Sequence, residues 1–145
     1  MPYMTGENET RQTSATKLTA EEFLRLPGYE EDGLRHELID GVHYVTPSPA
    51  ERHQSVVVEL TLALGIYARA TGIGKVYVAP FDVILSEHDV VEPDVLFVLA
   101  DDLKTITQRG VFGPPALAVE VLSPGAGRRD KTVKRELYGR AGVRE

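Results

Sequence analysis

Two stretches decide the fold: Val90-Val91-Glu92-Pro93-Asp94-Val95-Leu96-Phe97-Val98 and Leu117-Ala118-Val119-Glu120-Val121-Leu122. Both are short and apolar, and such runs are typical of buried or half-buried strands. Each nevertheless has a carboxylate set into it, Asp94 in the first and Glu120 in the second. An ionised side chain inside a strand is costly unless it is paired or binds a metal, so both carboxylates need a physical reason.

A divalent metal ion is one reason that accounts for both carboxylates. Carboxylates on adjacent strands hold hard cations such as Mg²⁺ through their oxygens, and the bound ion is a Lewis acid. Two simpler interpretations stay open from the residues alone. Asp94 follows Pro93 and also fits a turn or strand end, while Glu120 also fits a structural salt bridge.

The composition fits one domain with a sizeable core. The chain has 145 residues, 42% of them hydrophobic, and contains no cysteine. Disulfides, thiolate nucleophiles and cysteine-based zinc sites are excluded, and a reducing cytoplasm is the expected location. Residues 1–17 predict a flexible tail before a domain at residues 18–145, with neither a signal peptide nor a membrane span.

The charge is unevenly distributed along the chain. The formal net charge is −6, but residues 128–145 contain seven basic and three acidic residues, which makes this segment +4 and the remainder −10. A basic segment beside two carboxylates suits a phosphate backbone, and a solvated helix face explains the same charges.

Local signals in the first half predict a short helix, a hairpin and a long helix. Thr19 and Glu22 fit a capping box, and Asp40-Gly41 is favoured in a type I′ hairpin turn. From residue 50 to 70 apolar residues recur at steps of three and four, and Gly72 follows as a C-cap. The stripe expected to face the core consists of Val56, Leu60, Ala63, Leu64 and Tyr67.

The second half predicts strands and a closing helix. Segments 75–79 and 81–85 are separated by Pro80, and a polar turn at 86–89 leads into the run at 90–98 as a second hairpin. We then expect a helical turn at 101–106, a loop at 110–115, a strand at 116–122 and a helix at 129–140. This order indicates an α/β (α+β) domain.

Other polar side chains are weaker candidates for chemistry. Glu37 lies on a predicted strand, where an exposed carboxylate or a salt bridge also explains it, and His53 points either toward the same pocket or toward solvent. Lys134 is four residues from both Asp130 and Tyr138, which is the spacing of a shared helix face or an ordinary surface pair. The zincin, C-x-x-C and P-loop motifs do not occur.

An ordered series of short motifs resembles the Uma2 family, which is described as restriction-endonuclease-like with the PD-(D/E)XK nuclease fold. The resemblance covers about residues 18–145 with fitting gaps. Its motifs are Glu37-Leu38-Ile39-Asp40-Gly41, Pro47-Ser48-Pro49 with His53, Glu92-Pro93-Asp94, Gly113-Pro114-Pro115, Val119-Glu120-Val121-Leu122-Ser123-Pro124, the set Asp130, Lys134 and Tyr138, and Gly142-Val143.

The resemblance implies a central mixed sheet flanked by helices and a metal-dependent endonuclease that hydrolyses phosphodiester bonds in DNA. It implies that Asp94 and Glu120 bind Mg²⁺ or Mn²⁺ and that Glu37 is an additional acidic catalytic contributor. In the parent nuclease pattern a lysine stands two positions after the second carboxylate, where this chain has Leu122. As in the family, Lys134 on the following helix is the expected catalytic substitute.

Further expectations follow from the same resemblance and from the basic segment. His53 and Lys131 are additional site candidates, and Arg128 and Arg129 are expected to hold flanking phosphates. Family members usually continue beyond the signature Gly142-Val143-Arg144-Glu145, so we expect a C-terminally truncated domain, with a homodimer as one way to cover an open sheet edge. Two other functions stay open, namely a catalytically inactive nucleic-acid-binding or interaction module and a plain structural salt-bridge network.

Overall fold

The structure is a computed structural model that describes residues 11–12, 16–28, 31–47, 49–123 and 128–145. Its helices are α1 (Ala20–Leu24), α2 (Glu51–Thr71) and α3 (Arg128–Ala141), and a short 3₁₀ helix spans Ala100–Thr105. The strands are β1 (Arg11–Gln12), β2 (Arg35–Ile39), β3 (Val42–Thr46), β4 (Gly74–Val78), β5 (Val83–Ser86), β6 (Asp89–Val91), β7 (Val95–Leu99), β8 (Ile106–Thr107), β9 (Gly110–Phe112) and β10 (Leu117–Val119).

The strands form two sheets. The larger has the order β1-β3-β2-β6-β5-β9-β8, and it is mixed because β5 and β9 pair in parallel while its other pairs are antiparallel. The smaller is antiparallel with the order β10-β7-β4, and α2 packs against β4 and β7. The chain passes between the sheets several times, and the passage from β6 to β7 occurs at residues 92–94. The predicted α+β class, a mixed sheet flanked by helices, is confirmed.

Strand β2 is buried on both faces, which brings a carboxylate into the interior. Ile39 belongs to a core cluster that includes Leu137 of α3, whereas Leu38 packs with Phe23 of α1 in a second cluster. Side chains alternate along a strand, so Glu37 shares the face of Ile39 and points toward α3. It is only 4% exposed.

The turn and cap predictions near the N-terminus are confirmed. Asp40 and Gly41 have φ values of 49° and 73°, the left-handed conformations that a type I′ turn requires. The capping box is complete, since the Glu22 N–H donates to Thr19 Oγ1 over 3.2 Å and the Thr19 N–H donates to Glu22 Oε2 over 2.8 Å.

Replacing Thr19 with Ala is expected to lower the free energy of unfolding by about 1 kcal/mol, because the cap hydroxyl satisfies a helix N–H that otherwise has no partner within the helix. Thr19→Ser retains the hydroxyl and is expected to stay close to the wild type. Urea denaturation of the three proteins checks this, and an alanine variant as stable as the wild type would show that α1 does not depend on its cap.

Several predicted strands have different bounds in the structure. The run at 90–98 is interrupted by Pro93 and divides into β6 and β7, and β10 ends at Val119, before Glu120. The predicted loop at 110–115 is wrong, since β9 occupies its first half. Gly110 permits this pairing because its φ is 135° and an added Cβ would lie 2.2 Å from the Asp82 carbonyl oxygen.

The apolar stripe predicted for α2 is wrong at three of its five positions, while Leu60 and Leu64 are half-buried as expected. The predicted bounds and the left-handed Gly72 cap are confirmed. Val56 and Tyr67 are 42% and 53% exposed, and Ala63 is also exposed. The side that meets the sheet instead carries the buried residues His53 and Ala68. Apolar residues lie on all sides of this helix, so their spacing did not identify the inner face.

The predicted tail is described only in part. Arg11–Gln12 pair with Val45 and Tyr44 of β3, and the flexibility expected for residues 1–17 stays a prediction. An unpaired edge of β3 offers backbone groups that such a segment satisfies. The predictions for residues 1–10 and 13–15 lie outside the described residues. In the described part of the chain, no helix has the length and apolarity to cross a bilayer.

Candidate active site

Asp94 lies between β6 and β7 and is the most deeply buried carboxylate of the site. It is 1% exposed and accepts three hydrogen bonds. Arg35 Nη2 donates to its Oδ1 over 2.6 Å, the Val121 N–H donates to its Oδ2 over 2.6 Å, and His53 Nε2 lies 3.0 Å from the same oxygen. The Val121 contact joins the end of β10 to the start of β7, which places Asp94 beside the segment that carries Glu120.

Lys134 of α3 links two further carboxylates. Its Nζ donates to Glu37 Oε1 over 2.7 Å and to Glu120 Oε1 over 3.2 Å. Glu120 Oε1 also accepts a 2.5 Å hydrogen bond from the Tyr138 hydroxyl, and Glu37 Oε1 accepts one from the backbone N–H of Glu92 over 3.0 Å. Lys134 and Tyr138 are four residues apart, so one face of α3 holds Glu120 in place.

We call Glu37, Glu92, Asp94 and Glu120 the carboxylate cluster. Two permanently charged cations among the described side chains contact it: Lys134, and Arg35, whose Nε lies 3.5 Å from Glu92 Oε1. Counted over these side chains, negative charge exceeds permanent positive charge.

Two carboxylates of the carboxylate cluster, Glu92 and Glu120, have raised pKa values. Burial raises the pKa of Glu92 to about 7, although the charge of Arg35 opposes the rise. Burial likewise raises the pKa of Glu120 to about 7, against the lowering effect of Lys134. Burial and the charge of Glu120 raise the pKa of Tyr138 well above its ordinary value, so the Tyr138 hydroxyl stays protonated and donates a hydrogen bond to Glu120.

A raised pKa makes the apo protein less stable as pH rises. The folded state holds the Glu92 proton up to about pH 7, whereas the unfolded chain releases it near the ordinary value of 4.5. The proton on Glu92 therefore stabilises the fold fully below about pH 4.5, and this stabilisation is lost as pH rises through about 7.

We expect Glu92→Gln to remove most of that decline. Its free energy of unfolding, relative to the wild type, should rise by about 2 kcal/mol between pH 4.5 and 8 in EDTA, because glutamine never ionises. Urea denaturation at a series of pH values measures this. The matched control is Glu87→Gln, whose side chain is 78% exposed. Parallel pH curves for Glu92→Gln and the wild type would show that Glu92 has an ordinary pKa.

The chemistry of the carboxylate cluster fits a hard divalent cation. Carboxylate oxygens are the ligands that Mg²⁺ and Mn²⁺ prefer, and a pocket with excess negative charge gains from a bound cation. His53 adds a second signal, since its buried Nδ1 has no hydrogen-bond partner among the described residues.

In this structure, basic side chains of the chain itself contact the carboxylate oxygens that a metal ion would use. Among the residues that the structure describes, no group of three or more His, Asp or Glu side chains is placed to hold a metal ion. Arg35 contacts Asp94, and Lys134 contacts Glu37 and Glu120. A divalent ion at Asp94 would compete with Arg35 for the same carboxylate.

The structure brings together most of the residues singled out from sequence. Glu37, Asp94, Glu120, Lys134 and His53 form one connected network, and the alternative of a solvent-facing His53 is excluded by its 6% exposure. Of the other candidates, the Lys131 side chain is exposed, and the predictions for the Arg128 and Arg129 side chains fall outside the described residues.

Two members of the network were not predicted from the sequence. Arg35 stands two residues before Glu37 on β2. Side chains two residues apart on a strand point to the same face, so this spacing was a signal that could have placed Arg35 beside Glu37. Glu92 stands two residues before Asp94 and was quoted only as part of a motif. The neighbours that these residues contact come from other elements, so spacing alone did not reveal the pairing.

The mixed sheet, the flanking helices and the carboxylate–lysine network at the strand ends define a domain of the restriction-endonuclease-like class. The chain belongs to the Uma2 family: the family model described as "Putative restriction endonuclease" matches residues 20–145. No curated protein matches the sequence significantly.

A solved structure shares the fold. It is described as "a putative nuclease belonging to DUF820" from Anabaena variabilis, and it superimposes with a TM-score of 0.66 at 20% sequence identity. The match covers 83% of this chain and 66% of the neighbour's chain, so this chain spans slightly less than two thirds of the neighbour's length. At this identity the likeness shows the fold.

Proposed function

We propose that the protein is a metal-dependent endonuclease that hydrolyses phosphodiester bonds in DNA. The observation that carries the proposal is the contact of Lys134 Nζ with both Glu37 and Glu120, next to a buried Asp94. Membership of the Uma2 family supports a nuclease, and the nucleic-acid substrate follows from that description.

Asp94 and Glu120 would hold the metal, Mg²⁺ or Mn²⁺. Bound there, the ion supplies Lewis acidity and a water of lowered pKa. His53 fixes the orientation of the Asp94 carboxylate, and Tyr138 fixes that of Glu120, through the hydrogen bonds described above. These contacts limit the reorganisation that ligands must undergo.

Lys134 supplies the positive charge at the reaction centre. Phosphodiester cleavage develops negative charge on the phosphate oxygens, and a fixed ammonium in a water-poor pocket stabilises that charge. Glu37 accepts a hydrogen bond from Lys134 over 2.7 Å, which keeps the ammonium in position. In this account the lysine acts from α3 rather than from the strand position of Leu122.

Substrate is held by the basic start of α3. Arg128, Arg129 and the exposed Lys131 lie in this segment, and contacts from such side chains to phosphates give affinity without reading sequence. The proposal includes a cytoplasmic location, which suits a chain without cysteine, and a homodimer.

A plasmid assay tests the function. Supercoiled DNA incubated with the protein and Mg²⁺ or Mn²⁺ is expected to be nicked, and EDTA is expected to stop the reaction. Linear duplex DNA, single-stranded DNA and RNA tested in parallel define the substrate class. Nicking that persists in EDTA, or cleavage of RNA alone, would overturn the proposal as stated.

The ion pair between Arg35 and Asp94 supports a second candidate, a nucleic-acid-binding module without activity. At 2.6 Å the guanidinium occupies an oxygen of the proposed metal ligand. Retention of DNA on a filter in Mg²⁺ with no nicking by the folded protein would favour this module over the nuclease.

A further inference from the structure

Helix α2 is apolar on the side that faces away from the sheet. Between Arg52 and Arg69 the only charged residue is Glu59. Val58, Leu62 and Ile66 are 53%, 54% and 67% exposed and recur every four residues. A helix that is hydrophobic all round is normally covered all round, so this outer face indicates a binding partner.

The outer face has the spacing of a helix–helix seam. Going along it, steps of four and three residues alternate, which keeps a line of side chains on one side of a helix. The line consists of Glu51, Ser55, Val58, Leu62, Gly65 and Arg69. The two middle residues of this line are apolar, and a small residue flanks them on each side. The first residue of the line is acidic and the last is basic.

This arrangement is complementary to itself in the antiparallel direction. If residue 60 lies at the two-fold axis, each position i faces position 120 − i of the other copy. Glu51 then faces Arg69, Ser55 faces Gly65 and Val58 faces Leu62, and each contact occurs twice. A parallel pair would place like charges opposite each other at both ends, which is unfavourable.

We infer that the outer face of α2 binds a second copy of this chain through an antiparallel, two-fold symmetric helix pair. The small residues Ser55 and Gly65 allow the helices to approach closely, and nothing lies within 4 Å of a Cβ built on Gly65. An isologous contact of this kind is the commonest form of homodimer. The interface stands on the helix face alone and does not depend on the proposed nuclease activity.

One helix pair makes a small interface. Stable complexes bury about 1,200–2,000 Å² in total, and smaller interfaces are weak or transient. The dimer is therefore expected to dissociate on dilution, and sedimentation of the full chain over a concentration series measures its dissociation constant. A wild type that remains monomeric up to the highest concentration would overturn the inference.

Charge reversal tests the antiparallel register. Glu51→Arg and Arg69→Glu each place like charges opposite each other twice per dimer, and each is expected to weaken dimerisation by about 10-fold to 100-fold. The double variant Glu51→Arg/Arg69→Glu restores opposite charges and is expected to recover wild-type affinity within about threefold. The matched control is Glu136→Arg, an exposed position on α3. Equal weakening in the double variant would overturn the register.

Disulfide trapping tests the same register without relying on affinity. The chain contains no cysteine, so any disulfide that forms must join the engineered cysteines. Ser55→Cys/Gly65→Cys is expected to form a covalent dimer on mild oxidation. In either single variant the two equivalent thiols would be offset by about 15 Å along the helix axis, too far to bond. Single variants that cross-link as well as the double variant would contradict the antiparallel pair, and dimers insensitive to all these changes would place the interface on another face.

Discussion

Glu120→Gln is expected to reduce metal-dependent nicking by about 10³-fold while leaving the fold intact. Glu120 is a metal ligand in the proposed function, and loss of such a ligand removes several kcal/mol of transition-state stabilisation, where each 1.4 kcal/mol corresponds to about tenfold in rate. Both recorded contacts of this carboxylate, from Lys134 and Tyr138, fall on Oε1. A glutamine that keeps its carbonyl oxygen there preserves both contacts and changes only the other atom and the charge.

The control for this variant is Glu136→Gln, which changes the same chemical group at an exposed position of α3. Circular dichroism and urea denaturation confirm folding of both proteins. The pH profile at Mg²⁺ concentrations below saturation adds a second readout. Burial raises the pKa of Glu120 to about 7 in the metal-free protein, so protons compete with the ion there and nicking by the wild type should increase as pH rises through 7. Full activity in Glu120→Gln would remove this carboxylate from the catalytic site.

Lys134→Met is expected to cost about 3–5 kcal/mol of unfolding free energy at pH 8, the range typical of breaking a buried ion pair from one side. Lys134 is 7% exposed and contacts Glu37 and Glu120. Methionine fills a similar volume, so the loss arises mainly from two carboxylates left without their cation. The loss should shrink toward pH 5, because a Glu120 with a pKa near 7 becomes protonated there.

Lys131→Met is the matched control, since it removes the same charge from an exposed position three residues earlier on the same helix. Urea denaturation of both variants at pH 5 and pH 8 measures the difference. Loss of less than about 1 kcal/mol in Lys134→Met at pH 8 would mean that the carboxylates find other partners or take up protons at little cost.

Local structure was predicted well wherever a few neighbouring residues determine it. The Asp40-Gly41 turn and the Thr19 cap depend on contacts within four residues, and both are confirmed. Pro93 was visible in the sequence as an interruption, but the division of the run into strands of two different sheets was not. That division depends on which strands pair, and pairing is not encoded locally.

The candidate site was predicted from the cost of burying charge rather than from spacing. Asp94 and Glu120 were singled out because apolar runs surround them, and both lie in one network. The partners were harder to foresee: Arg35 contacts Asp94 across 59 positions and Lys134 contacts Glu37 across 97. Lys134 was suggested by its helix-face spacing and by the family resemblance, whereas the alternation along β2 that places Arg35 on the face of Glu37 was not used.

The orientation of α2 shows the limit of periodicity. A stripe predicts the buried face only when the opposite face is polar. Here Leu62 and Ile66 lie on the outer side and are as apolar as the residues that meet the sheet, so the predicted stripe mixed the two faces. The apolar character of this exposed outer face is also what indicates that a partner covers it.

Calorimetric titration of Mn²⁺ tests the central claim most directly. The wild type is expected to bind the ion, and Asp94→Asn and Glu120→Gln, each confirmed as folded by circular dichroism, are each expected to lose that binding, while Glu136→Gln retains it. Such a result would place both carboxylates in one metal site. Binding that survives in both folded variants, or a folded wild type that binds no Mn²⁺, would contradict a metal centre at Asp94 and Glu120.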